Sequence, residues 1–379
     1  MSTNRLQLLH DAGQSIWLDF IDRTILRNGD LQKRVDNDAL TGMTSNPTIF
    51  EKALAEGSAY DDQMRSAKGS FTSLELFELI ATTDVRDACD IFAPVYDAAH
   101  GADGFVSIEV SPGAANDATA TVSEATRLWA TVDRKNLMVK IPGTAEGAKA
   151  IRQAIAAGMN INVTLLFAID AYQRVIDAYM GGLEDRLAAG KTIDSSHSVA
   201  SFFVSRVDTE VDKRLDAATA AGGDKNTFDA LRGKAAVANA KLAYHLFQTQ
   251  TATPRWKALA AKGANVQRPL WASTSAKNPA YRDVIYVEEL IGPDTVNTMP
   301  PATIDAFRDH GEVKRTVDAG VAQAQAEIDA LEKAGISIAS VTDKLLTDGV
   351  ASFQKSFDTL LAGLRTKTKA LGKELVETR

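Results

Sequence analysis

Lys140 interrupts an otherwise apolar run, Leu-Met-Val-Lys-Ile-Pro at 137–142. In water a lysine amine is almost wholly protonated: with an unperturbed pKa of ~10.4, about 0.04% is neutral at pH 7. Removal from water disfavours the charged form. A neutral amine attacks a ketone and gives an iminium ion, which accepts the electron pair of an adjacent carbon–carbon bond as it breaks. The alternative is a strand-end lysine that pairs with a carboxylate or reaches water, and side-chain period alone does not separate the two. Asp19 and Glu109 end two comparable runs and offer acid–base groups. Schiff-base chemistry needs one group to move protons during loss of water from the carbinolamine. It needs another to take the hydroxyl proton that triggers cleavage. Structural ion pairing with Lys140 is the competing role.

Asn46, Asn162 and Thr164 add neutral donors and acceptors suited to sugar hydroxyls, or equally to hydrogen bonding inside a barrel. Arg206, Ser273 and Lys277 follow the sixth and seventh apolar runs, where barrel proteins often hold phosphate. The Arg206 guanidinium can grip a phosphate through two parallel N–H bonds. Solvation at the surface is the ordinary alternative for a loop arginine. Other chemistries fit poorly. Gly143-Thr-Ala-Glu-Gly147 is neither a Walker A loop nor a dinucleotide fingerprint. The five histidines lack metal-ligand spacing, and no serine sits in a Gly-x-Ser-x-Gly elbow. Neither a metal nor a cofactor is expected.

Eight short apolar runs must position these residues: 15–20, 41–46, 105–110, 137–141, 161–165, 200–205, 269–273 and 295–299. Amphipathic helical stretches lie between most of them, and Thr72 and Glu75 are spaced as a capping box ahead of Leu76. Alternating β and α elements imply a parallel sheet covered by helices. Eight strands favour a (β/α)8 TIM barrel, an α/β fold, over an open doubly wound sheet. Val106, Ile108 and Val110 oppose Phe105, Ser107 and Glu109, and Val139 and Ile141 oppose Met138 and Lys140. The same phase in four runs puts a polar residue near the C-terminal end of an inner face, where barrel enzymes build their sites. A polar face turned to water at a sheet edge is the alternative. Residues 207–263 and those from about 318 to 379 are helical in pattern, the latter with Gly335 and Gly349 as breaks. Both read as additions to one domain spanning 1–379, the second as its C-terminal helical decoration.

Composition narrows the surroundings. The 379 residues are 45% hydrophobic and 24% charged, with a formal charge of −7, so anion affinity must come from local placement of Arg and Lys. No basic block suggests nucleic acid, and no apolar stretch is long enough to span a membrane. Cys89 is the only cysteine, which fits a reducing compartment. The first ten residues lack a signal-peptide run, and the expectation is a cytoplasmic protein. Homo-oligomer formation is left open.

Seven motifs in order resemble the transaldolase family, in particular its bacterial branch of longer chain. They are WLDF around Asp19, TSNPTIF at 44–50, SIEVSP at 107–112, MVKIPGT at 138–144, NINVTLLF at 160–167, SFFVSRVD at 201–208 and WASTSAKNP at 271–279. The resemblance implies that Lys140 forms the Schiff base with a ketose and that Asp19 is the acid–base group for cleavage. Glu109 would act with Thr164 through a water during imine formation. Thr44, Asn46, Asn162 and Ser201 would contact the dihydroxyacetone moiety, with Phe203 shaping the pocket and Arg206, Ser273 and Lys277 binding phosphate. The common form of the family has an arginine soon after the serine, whereas this chain runs Thr274-Ser275-Ala276-Lys277. The implied reaction moves a dihydroxyacetone unit from sedoheptulose 7-phosphate to glyceraldehyde 3-phosphate, giving erythrose 4-phosphate and fructose 6-phosphate without a cofactor. A fructose 6-phosphate aldolase-type lyase and a barrel that binds sugar phosphates without turnover are the alternatives.

Overall fold

A computed structural model describes residues 4–55 and 57–376. Eight strands, β1 (Gln14–Asp19), β2 (Leu40–Thr44), β3 (Phe105–Glu109), β4 (Leu137–Pro142), β5 (Ile161–Leu166), β6 (Ser198–Phe203), β7 (Gln267–Ala272) and β8 (Thr295–Met299), form a closed parallel barrel in chain order. The ring closes where β8 pairs with β1, Gln14 opposite Thr295. Closure leaves no edge, so the polar residues of alternating phase face the interior. Their aliphatic neighbours Ile108, Val139, Ile141, Ile161 and Val163 are buried under the helices in one hydrophobic core.

Helices follow where the sequence supplies caps. Thr72 and Glu75 form the expected capping box: Thr72 Oγ1 accepts from the Glu75 N–H at 3.2 Å, and the Glu75 carboxylate accepts from the Thr72 N–H at 2.8 Å. This opens the 26-residue helix Ser73–Ala98. The helix-rich stretch after β6 resolves into Ser205–Ala220, Lys225–Leu231, Ala235–Thr251 and Pro254–Ala260.

After β8 the chain forms Pro301–His310, Val321–Lys333 and a 33-residue helix, Ile338–Ala370. Gly335 ends a helix in the left-handed region, at φ 83°, as expected. Gly349 does not. It lies inside Ile338–Ala370, buried, because the helix presses there on β5: a Cβ on Gly349 would stand 3.0 Å from Leu165 Cδ2. The residue marks a close approach, not a break. Among the described residues no helix is long and apolar enough to cross a membrane.

Buried polar groups inside the barrel are tied to each other in layers, as burial demands. At the N-terminal end of the strands, Trp17 Nε1 donates to Asp103 at 2.9 Å, and Arg268 pairs with the same carboxylate at 3.6 Å. A cavity of about 380 Å³ opens beside them, with His197 in its wall. Burial, with Arg268 close by, pushes the His197 imidazole down to about 4. Lys140, Asp19 and Glu109 gather at the other end.

Candidate active site

Strand register carries the sequence pattern directly into geometry. Glu109 and Lys140 are Cα partners across β3 and β4, and Lys140 pairs with Asn162 on β5. Lys140 Nζ lies 3.0 Å from Glu109 Oε2 and donates to the Ser45 carbonyl at 3.0 Å. Both side chains are almost enclosed, at 6% and 4% exposure. Burial pushes the Glu109 carboxyl above the usual carboxylate range, opposed chiefly by the Lys140 charge. Asp19, at the end of β1, is also pushed up by burial, against the pull of Lys140, Arg206 and Lys277. The three groups therefore influence one another.

They sit at the C-terminal mouth of the barrel around a cavity of about 310 Å³. Of the residues singled out in the sequence, Lys140, Asp19, Thr44, Asn46, Thr164, Ser201, Phe203, Arg206, Ser273 and Lys277 line it. Glu109 stands just behind Lys140. Asn162 is set deeper, fully buried, with Ser201 Oγ donating to its Oδ1 at 2.7 Å and its Nδ2 donating to Ser107 Oγ at 3.0 Å. The expected substrate-contacting asparagine thus holds Ser201 in place from below. Asn46 also has a local role, since its Oδ1 accepts from the Ile49 N–H at 3.0 Å and caps the helix Pro47–Ala55.

Thr164 Oγ1 is buried and finds no protein hydrogen-bond partner, while Glu109 Oε2 has the Lys140 ammonium as its neighbour at 3.0 Å. Strand β5 leaves regular register directly after Thr164: pairing with β6 slips between Val163 and Leu166, and Leu165 takes φ 58°. A leucine in the left-handed region is strained, and such residues gather at functional sites.

Arg206 follows β6, with its guanidinium 5.0 Å over the Phe203 ring. Ser273 follows β7 at φ 57°, its hydroxyl 2.9 Å from that of Ser205. Lys277 is exposed at the rim, 2.6 Å from Ser275 Oγ. Among the described residues neither Arg206 nor Lys277 has a carboxylate within ion-pair distance, although the surface as a whole carries excess negative charge. Burial disfavours the Arg206 charge, against the pull of Asp19 and Glu109, and partial desolvation together with the nearby Arg206 guanidinium holds Lys277 below the ordinary lysine range. An anion would relieve that conflict.

Sequence reasoning missed the polar Thr48, Lys52, Ser275 and Thr298 and the aromatic Phe353, which also line the cavity. Thr48 and Lys52 lie just beyond the TSNP turn and Ser275 beside Lys277, so their neighbourhood was readable. Phe353 carried no local signal. It arrives on the C-terminal helix. Arg23, given no role from sequence, is 1% exposed and pairs with Asp84 at 2.7 Å below the turn that follows Asp19.

An amine among carboxyl groups at a barrel mouth, beside two cations without a carboxylate partner among the described residues, is what Schiff-base processing of a sugar phosphate would require. The family model described as Transaldolase/Fructose-6-phosphate aldolase matches residues 16–364. Transaldolase 2 of Nostoc sp. is 47% identical over 378 residues, covering 98% of this chain and 99% of its own. Transaldolase of Thermobifida fusca is 50% identical over 358 residues, covering 94% and 96%. Transaldolase of Frankia alni is 49% identical over 361 residues, covering 95% and 96%. The match spans every strand end that contributes to the cavity, and the chain belongs to the transaldolase/fructose-6-phosphate aldolase family.

Proposed function

We propose that the protein is a transaldolase. It moves a dihydroxyacetone unit from sedoheptulose 7-phosphate to glyceraldehyde 3-phosphate and gives erythrose 4-phosphate and fructose 6-phosphate. The carrying observation is the Lys140–Glu109 pair, 3.0 Å apart in an enclosed site. One proton passed from the ammonium to the carboxylate leaves a neutral amine, and burial already favours the protonated form of Glu109. The amine attacks the ketose C2 carbonyl. Glu109 then returns the proton to the departing hydroxyl through a water held with Thr164, a role that fits the unsatisfied Thr164 Oγ1.

Asp19 takes the proton of the C4 hydroxyl. The C3–C4 bond breaks, and its electron pair moves into the iminium to give an enamine on Lys140. The aldehyde product leaves, an acceptor aldehyde enters, and the steps run in reverse. Thr44, Asn46 and Ser201 bind the dihydroxyacetone hydroxyls, with Asn162 orienting Ser201 and Phe203 shaping the wall. Arg206, Ser273 and Lys277 hold the phosphate. We read the chain as one barrel domain, the helices after about residue 318 being part of it, and as cytoplasmic.

Borohydride reduction in the presence of fructose 6-phosphate tests the reading. Mass spectrometry is expected to place the adduct on Lys140, and Lys140→Ala is expected to abolish it with the fold intact. Labelling that persists in that variant overturns the assignment.

A further inference from the structure

The helix Ile338–Ala370 crosses the barrel mouth. Gly349, Phe353 and Ser356 recur at helical spacing on the side that meets the barrel. Gly349 packs on Leu165 at the end of β5. Phe353, 5% exposed, lines the cavity that holds Lys140 and Asp19. Ser356 Oγ accepts from Thr48 Oγ1 at 2.9 Å, which ties the helix to the segment after β2. One turn beyond Phe353, Phe357 meets Phe77 edge-on at 5.5 Å, and Phe77 meets Phe50 edge-on at 5.5 Å. At its start, the Ser340 carbonyl accepts from Arg214 at 3.1 Å. The helix that carries Phe353 is therefore anchored on both sides of that residue.

The chemistry gives such a ring a task. Once the C3–C4 bond of the ketose has broken, the enamine on Lys140 is a carbon nucleophile with two fates. It can attack the acceptor aldehyde and form a new carbon–carbon bond. Alternatively, that carbon takes a proton, the resulting iminium adds water, and free dihydroxyacetone leaves with the lysine restored. The second route starts with a proton delivered to the nucleophilic carbon, and an apolar wall over that carbon keeps bulk water from delivering it.

We infer that Phe353 sets the partition between transfer and release, making the protein a transferase in preference to a lyase. The inference rests on the Schiff-base reading above. It is tested with full-length Phe353→Ala and Phe353→Leu, supplied with fructose 6-phosphate with and without an acceptor aldehyde. Free dihydroxyacetone and transfer product are both measured, alongside the borohydride adduct on Lys140. The ratio of release to transfer is expected to rise about tenfold or more in the alanine variant and less in the leucine variant, with the adduct retained. A purely structural role would lower both rates together and leave the ratio unmoved. An unchanged ratio in the variants, with the adduct present, overturns the inference alone. Absence of the adduct in the wild type overturns the reading beneath it. Should the alanine variant fail to fold, the ratio in the leucine variant decides.

Discussion

Glu109 and Lys140 are Cα partners on adjacent parallel strands, and their charged ends meet at 3.0 Å inside the barrel. A pair placed by strand register has little freedom to separate, so either side chain can be altered without moving the other's backbone. Glu109→Gln is expected to keep the fold and Lys140 but slow imine formation by about 10²- to 10⁴-fold. Rapid-quench borohydride trapping with fructose 6-phosphate reads this rate directly. A wild-type trapping rate would remove Glu109 from proton transfer.

The proposed mechanism gives Asp19 a separate task, and its variant should separate two steps. Asp19→Asn is expected to form the trapped adduct yet release no erythrose 4-phosphate from sedoheptulose 7-phosphate. The same variant bears on stability. Burial raises the Asp19 carboxyl in the folded state, so its favourable contribution exists at low pH and is lost as pH rises through that raised value. At neutral pH the ionised group costs stability. Asp19→Asn should raise Tm there by on the order of 1–3 °C, and the gain should vanish well below the ordinary aspartate pKa of about 3.9. Calorimetry at two pH values checks the sign.

Strand phase made much of this legible. Polar residues at 19, 109, 140 and 164 alternate with aliphatic ones, and closure of the ring turns that alternation into an inward-facing site. The phase could not tell which inner residues meet substrate and which brace their neighbours. Asn162 reads like Thr164 in sequence, yet it is held between Ser107 and Ser201. Residues brought by tertiary packing were out of reach. Phe353 lies more than two hundred residues from Lys140, and nothing in its own helix marks it. Gly349 read as a helix break because glycine costs helix stability. Only the nearness of Leu165 explains its presence there.

Arg206 and Lys277 face the cavity without a carboxylate partner among the described residues, and their loss should be felt by phosphorylated substrates above all. Arg206→Ala and Lys277→Met are each expected to raise KM for glyceraldehyde 3-phosphate roughly ten- to hundredfold. An unphosphorylated acceptor such as glyceraldehyde should be affected far less. Equal losses on both acceptors would place the phosphate elsewhere.

His197, at the far end of the barrel, predicts an acid sensitivity unrelated to catalysis. Its imidazole titrates at about 4 in the folded protein and near 6.5 when exposed. The unfolded chain therefore binds the extra proton first, and stability falls as pH drops from about 6.5 to about 4, by about 3 kcal/mol at most. His197→Phe keeps a ring against Phe105 and removes the titration. Urea unfolding across this pH window should show a flatter profile for the variant than for the wild type.

Closure of β8 onto β1 has a consequence for biosynthesis. The ring joins residues nearly three hundred positions apart, and Phe353 follows only after some fifty more. A nascent chain that has emerged past Lys140 holds the amine but neither the cradle for an anion nor the cover over the mouth. The pocket is thus whole only when the last strand and the helix carrying Phe353 have joined the fold, and an incomplete polypeptide meets cellular carbonyl compounds with that pocket unassembled.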